Sequence, residues 1–229
     1  MRKRLICIIL TVLVLAAALA LLWWHQAADS FTFLCIGNSI TEHVPCDYWW
    51  GDWGMAASRP ELDYVHRLEA LLGDNAKGDS INLSVWEMLF HDRVQTLSLL
   101  EGRLDPKLDL IVVQLGENVT DTETLEEDFC SLLRYLQNAC PEAELVVVGN
   151  FWADDAVESA KEQASRTCGV SFISLEAVQA YTCGIGTQIL GADGQWHTVE
   201  HKGVALHPGD TAMAYIAEQI VMALPDPQK

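Results

Sequence analysis

The sequence predicts an α/β domain on an open, doubly wound sheet of five parallel strands, and three observations point to it. Short apolar runs recur five times, amphipathic helical patterns separate them, and the polar residues able to carry chemistry fall just past the ends of the runs. The runs are Phe31–Ile36, Ser80–Leu83, Leu108–Leu115, Leu145–Gly149 and Val170–Ser174. They are mostly continuous rather than alternating, as strands covered on both faces must be. Between them, Asp63–Leu72 places Tyr64, Val65, Leu68, Leu71 and Leu72 on one stripe, and Leu125–Ala139 repeats the pattern through Leu125, Phe129, Leu132, Leu133 and Leu136. Thr122 and Thr124 offer caps to that second helix, and Pro141 prevents its continuation. A helix over about Asp154–Thr167 leads to Gly169, a helix stop, and a last one runs from about Asp210, its expected cap, to Leu224. No internal repeat, low-complexity tract or second domain interrupts this order.

Ahead of the domain, Arg2, Lys3 and Arg4 precede the uncharged stretch Leu5–Trp24. At about 1.5 Å per helical residue this stretch can cross a bilayer core of about 30 Å. Trp23 and Trp24 then fall at the far interface, and the basic cluster keeps the first residues in the cytoplasm. The expected organisation is a cytoplasmic stub and transmembrane signal anchor over residues 1–27, with one domain over residues 28–229 outside the cell membrane. Cleavage at the small residues Ala18 and Ala20 is the alternative.

Setting aside Arg2, Lys3, Arg4 and Asp29 from the chain's 14 basic and 32 acidic side chains leaves 11 and 31, a formal charge of −20. Such a balance argues against nucleic acid and anionic lipid as partners. Cys7 lies in the expected span, and Cys35, Cys46, Cys130, Cys140, Cys168 and Cys183 lie beyond it. No spacing selects among their pairings; a Cys168–Cys183 bridge is one of them.

The polar residues at the strand ends fit one chemistry. Acyl transfer needs a nucleophile, a base to take its proton, and donors aimed at the oxyanion. Ser39 follows the first run, Gly116-Glu117-Asn118 closes the third, and His207 precedes the last helix. Ser39, His207 and Asn118 supply one role each, and the Ser39 N–H adds a second oxyanion donor.

Gly37-Asn38-Ser39-Ile40-Thr41 resembles the first block of the SGNH (GDSL-type) hydrolase superfamily. Gly116-Glu117-Asn118 resembles its third block and Leu206-His207-Pro208 its last. The resemblance implies a flavodoxin-like sheet, esterase chemistry without a metal or other cofactor, Ser39 as nucleophile, His207 as base and Asn118 as oxyanion donor. Two positions depart from the pattern. Where the second block usually offers a glycine N–H, the chain reads Asn82-Leu83-Ser84-Val85-Trp86, so Ser84 N–H is the expected donor. Three residues before the histidine, where the acid normally sits, stands Val204. Valine cannot orient an imidazole. The expectation is therefore a Ser39–His207 dyad with the ring's Nδ1–H on a main-chain carbonyl, and Glu200 as the alternative acid.

Three further features bear on function. His197-Thr198-Val199-Glu200-His201 spells a zinc-peptidase motif, but glycines and β-formers around it read as a hairpin or loop rather than the helix such a site needs. Tyr48, Trp49, Trp50 and Trp53 follow the nucleophile block in a poor helix and strand former. Trp49, Trp50 and Trp53 can offer flat faces to sugars or acyl chains, or they can plug the core of an irregular loop. Trp86, Trp152 and Trp196 near strand ends add to the case for an aromatic cleft, while Glu42 and His43 are expected at the surface. The sequence thus points to a membrane-anchored extracytoplasmic serine esterase acting on a small-molecule or glycan ester, with an acetylated carbohydrate foremost. The alternatives are a catalytically weak or inactive glycan-binding module on the same fold and a zinc hydrolase through His197, Glu200 and His201.

The anchor has a direct check. Full-length chain is expected to stay in the membrane pellet through an alkaline carbonate wash while residues 28–229 move to the supernatant; recovery of both in the supernatant overturns it.

Overall fold

The structure, a computed structural model, describes residues 30–225. The anchor expected over Leu5–Trp24 lies outside the described residues. Five strands form on the apolar runs, β2 beginning three residues ahead of its run in polar Lys77-Gly78-Asp79: β1 (Thr32–Gly37), β2 (Lys77–Asn82), β3 (Leu110–Gln114), β4 (Glu144–Val148) and β5 (Ser171–Ile173). They pair in parallel in the order β2-β1-β3-β4-β5, the flavodoxin-like order. A separate antiparallel ribbon joins β6 (Gln188–Leu190) to β7 (Trp196–Thr198).

Burial on both faces explains the continuous apolar runs of the central strands β1, β3 and β4, whereas the edge strands β2 and β5 are only partly buried. Leu34 and Ile36 of β1 join Ile111, Val113, Leu145 and Val147 against α4 (Leu125–Ala139) and α5 (Asp155–Cys168), which contribute Phe129, Leu133, Leu136 and Ala164. Phe33 and Cys35 alternate to the other face. There α1 (Tyr64–Leu72) and α7 (Asp210–Ala223) bury Tyr64, Leu68, Met213, Ile216 and Ile220. Three short helices, α2 (Ser84–Met88), α3 (Arg93–Thr96) and α6 (Lys202–Leu206), complete the layers.

The helices form where read, but their amino-terminal caps are mostly other residues than those expected. Asp63 caps α1 by accepting from His66 N at 2.8 Å, and Asp154 caps α5 by accepting from Ala156 N and Val157 N. Gly169 ends α5 in the left-handed region at φ 68°. Asp210 is a correction: Gly209 occupies the cap position of α7, and the Asp210 carboxylate instead accepts from Ser58 N at 2.8 Å and Ser58 Oγ at 2.6 Å. Thr124 stands at the cap of α4 without capping it and donates its hydroxyl to Asp128 Oδ2 at 2.8 Å. All six described cysteines are free thiols. Cys168 lies against the Cys130 carbonyl, whereas the Cys183 N–H bonds to the His207 carbonyl, so the Cys168–Cys183 bridge does not form.

Register is what the fold contributes to the site. Gly37 lies opposite Asn82 on one side and Gln114 on the other, so three neighbouring chains leave the sheet level with one another. The space around Gly37 leaves no room for a side chain. A Cβ there would collide with the Thr41 hydroxyl and lie 2.8 Å from the Gln114 carbonyl oxygen. Gly37→Ala is accordingly expected to cost about 1–3 kcal/mol, read as a lower urea midpoint at unchanged slope; an unchanged midpoint would contradict this packing.

Candidate active site

At the carboxyl edge of β1 the chain turns sharply. Asn38 is fully buried, accepts Ile40 N–H on its side-chain oxygen at 3.0 Å, and receives Thr41 N–H and Glu42 N–H on its main-chain oxygen. This leaves Ser39 partly exposed at the tip, with no main-chain or side-chain partner for its N–H among the described residues. Its Oγ lies 2.9 Å from His207 Nε2. His207 arrives from the opposite side of the molecule in sequence, on the turn between α6 and α7, which is pinned by Cys183 N–H on its carbonyl and by its own N–H on Val204 O.

The orienting group is main chain. His207 Nδ1 lies 2.7 Å from the Gly203 carbonyl oxygen. A carbonyl only accepts, so Nδ1 carries the proton and the lone pair of Nε2 faces the Ser39 hydroxyl. Glu200 does not take this place: it is exposed and makes no bond to the ring. Val204 is buried beside the ring and offers it nothing polar. Trp152 packs edge-on to His207, with centroids 4.8 Å apart, and donates its indole N–H to Leu206 O at 2.9 Å. Burial under this cover pushes the His207 pKa down to about 4; the Gly203 bond opposes the shift, and nearby His43 and His201 add to it. A neutral carbonyl returns less to an imidazolium than a carboxylate would.

The donors around Ser39 differ from the expectation at one point. Asn118 lines the same cleft as Ser39 and His207. One N–H of its amide bonds to Glu87 Oε2, which leaves the second for the cleft. Ser84 also lines the cleft, but its main-chain N–H is taken by the Asn82 side-chain oxygen at 3.0 Å. Ser84 N–H is thus not a free donor. Asn82 in turn donates to the Glu42 carbonyl at 2.7 Å, so the loops after β1 and β2 are tied directly together.

The cleft measures 260 Å³. Met55, Met88 and Val204 give it apolar wall, while Tyr48, His43 and His201 make it polar and aromatic. His43, expected at the surface, is partly exposed and lines this cleft. Tyr48 stacks on His201 at 4.2 Å. The tryptophans expected there lie elsewhere. Trp49 is fully buried and Trp53 is 4% exposed, packed edge to face with each other, so neither presents a face to a ligand. Trp50 stacks on His197 of β7 at 4.5 Å, away from the cleft lining. Trp86 is core, against Phe129 and the Arg93 guanidinium, and Trp196 lies exposed under Arg59. Trp49 and Trp53 instead fill the inside of the irregular loop after β1, together with Met55, Ala56 and Ala57.

The zinc spelling does not assemble. His197 lies on β7 and bonds Asp193 at 3.0 Å; His201 precedes α6 and stacks on Tyr48. The two imidazoles are thus not one helical turn apart. No group of three or more His, Cys, Asp or Glu side chains converges to hold an ion among the described residues.

Two acids beneath the cleft, Glu87 fully buried and Glu117 partly so, went unread in the sequence. Glu117 turns inward and accepts Phe151 N–H at 2.6 Å and Trp152 N–H at 3.2 Å, so it fixes the segment that covers His207. Burial raises its pKa, and the charge of fully buried Lys161 holds it back; burial lowers that of Lys161 in turn. Glu87 accepts from Asn38 and Asn118 together. Neither residue lies in a spelling that distinguishes it from a surface carboxylate, and only Glu117, inside the third block, had any positional cue.

Among solved structures the chain is similar to a protein described as a GDSL-like lipase from Bacteroides uniformis, at 16% identity and TM-score 0.58 over 86% of this chain and 96% of that one. It is also similar to an extracellular lipase from Streptomyces rimosus, at 11% identity and TM-score 0.52 over 85% and 100%. A third is a two-domain esterase active on acetylated mannans, at 16% identity and TM-score 0.53 over 91% of this chain and 53% of that one. The chain spans about half of this third protein. No protein-family model and no curated protein sequence matches the chain. The likeness is one of fold, carried by the α/β architecture with its five-stranded parallel sheet.

The burial of His207 can be measured without reference to activity. By NMR its ring is expected to titrate near pH 4, below the about 6.5 of a free imidazole, because cover by Trp152 disfavours the charged form. Trp152→Ala, which admits water, is expected to raise that midpoint; a midpoint near 6.5 in the unaltered protein overturns the assignment.

Proposed function

We propose that the protein is a serine esterase of the SGNH type, and that its substrate is an O-acetyl or other short O-acyl ester on a carbohydrate. The observation that carries this reading is the line from Ser39 Oγ to His207 Nε2 at 2.9 Å and from His207 Nδ1 to Gly203 O at 2.7 Å. Ser39 Oγ attacks the ester carbonyl carbon as its proton passes to Nε2. The carbonyl oxygen becomes an oxyanion held by Ser39 N–H and the free N–H of Asn118. Collapse breaks the bond to the alcohol oxygen, which takes the proton back from the imidazolium. Water then attacks the acyl-enzyme, gives one proton to His207, and releases the acid as Ser39 Oγ is reprotonated.

The Gly203 carbonyl supports this cycle because it enforces the tautomer. In a serine protease, altering the acid costs about 10⁴ in rate, attributed to the wrong tautomer. Here the tautomer is secured, and what is missing is an anion to stabilise imidazolium. The reading is thus of a working but modest base. A cleft of 260 Å³ with methionine walls and a polar, aromatic remainder suits a small acyl group on a hydroxylated alcohol better than a long chain. The similarity to part of a two-domain esterase active on acetylated mannans supports this choice of substrate class. We place the domain outside the cell membrane, held by the anchor over residues 1–27, on the sequence alone. The inactive glycan-binding alternative makes the opposite forecast for serine reactivity.

The experiment compares the unaltered protein with Ser39→Ala. The unaltered protein is expected to label with a fluorophosphonate and to hydrolyse p-nitrophenyl acetate and acetylated oligosaccharides. Ser39→Ala is expected to lose labelling and at least about 10³-fold in kcat. Equal rates remove Ser39 as nucleophile, and absence of labelling in the unaltered protein favours the binding module.

A further inference from the structure

Glu87, in α2, is fully buried, and no cation lies within salt-bridge distance of it among the described residues. Its carboxylate accepts three N–H groups instead. They are Asn38 Nδ2 at 2.9 Å, the Gly116 main-chain N–H, and Asn118 Nδ2. These donors come from the loops after β1 and β3, the two segments that carry the nucleophile and the oxyanion amide. A carboxylate accepts and does not donate, so both asparagines must turn their NH₂ groups toward it. Asn38 then has its oxygen left for Ile40 N–H, which forms the turn at Ser39. Asn118 has one N–H left, and it is the one available to the cleft.

We propose that Glu87 is a positioning residue: it holds the free N–H of Asn118 toward the ester oxygen and, through Asn38, keeps Ser39 in register with it. The proposal rests on reading Asn118 as an oxyanion donor. Two physical costs argue against a packing role alone. A buried carboxylate without a cation is expensive, and a neutral group of the same size would fill the space more cheaply. An anion behind an oxyanion hole also opposes the charge that develops there. Both costs are offset if the position of Asn118 matters, since an oxyanion donor acts only within a narrow range and losing one costs about 10²–10³ in rate. Gly116 fits the same arrangement. Its N–H reaches Glu87 from a backbone at φ +136°, and a Cβ there would meet the Asn150 side chain and lie 3.1 Å from Lys161 Nζ.

The test is a double-mutant cycle in the full chain on p-nitrophenyl acetate, with Glu87→Gln, Asn118→Ala and both together. Glu87→Gln is expected to lower kcat by about 10- to 100-fold with KM nearly unchanged, and to add little once Asn118 is already alanine. A purely structural role would multiply independently with Asn118→Ala. Independent losses, or a rise in kcat on removing the charge, overturn the proposal while Asn118 keeps its role. An Asn118→Ala variant with unaltered kcat removes the oxyanion reading itself, and the proposal with it. Should Glu87→Gln fail to fold, Glu87→Asp keeps the charge but withdraws it by one methylene. In the same cycle it is expected to give a smaller, equally non-additive loss, and independent losses there overturn the proposal as well.

Discussion

Everything at the cleft depends on the parallel pairing of β1 with β2 and β3, which ends level at Gly37, Asn82 and Gln114. Ser39, Ser84 and Asn118 follow those residues by two to four positions, so their convergence is a consequence of register. A slip of one residue would move a loop by about 3.3 Å and exchange the buried faces of the strand. With both faces of β1 closely packed, such a slip would set side chains of the wrong size into each layer and leave both badly filled. The order of strands adds the opening. The chain leaves β1 for β2 on one side and returns to β3 on the other, and the crevice at that reversal is where sites in such sheets form.

Beneath the cleft the protein keeps charge where apolar packing would be simpler. Glu87 and Lys161 are fully buried and Glu117 partly so, and each is anchored by hydrogen bonds to a segment that lines or covers the site. Arg93 does similar work at the edge of this region: it reaches Asp128 Oδ2 at 2.6 Å and the carbonyls of Trp86 and Asp121 while lying over the Trp86 ring. Main-chain segments without regular structure need such partners, because buried N–H and C=O groups left unpaired are costly. Glu87 and Lys161 on helices and Glu117 on the loop after β3 thus stand in for a missing ladder in the loops that hold Ser39, Asn118 and Trp152.

The scaffold was legible because its signals are local. Continuous apolar runs, a 3.6-residue stripe and a glycine stop each depend on a few neighbouring residues, and β1 to β5, α1, α4, α5 and α7 formed close to where those signals lay. The Ser39, Asn118 and His207 positions were legible through their place at strand ends. What was misread depends on distant partners. Asp210 looks like a cap until Ser58 is beside it, Ser84 N–H looks free until the Asn82 side chain turns back on it, and Trp49 looks like a ligand platform until Trp53 covers it. Glu87 is the clearest case. Its three donors lie 29 to 49 residues away in sequence, and nothing adjacent to it announces them.

The acceptor on His207 Nδ1 belongs to the backbone, and that changes how the site can be altered over time. A carboxylate in that place is one codon away from loss, whereas no side-chain replacement deletes the Gly203 carbonyl. What holds it is the single turn of α6 and the bond from His207 N–H to Val204 O. Orientation of the imidazole is therefore inherited with the shape of a turn, and a comparison that looks for an acidic letter upstream of the histidine will pass over proteins built this way.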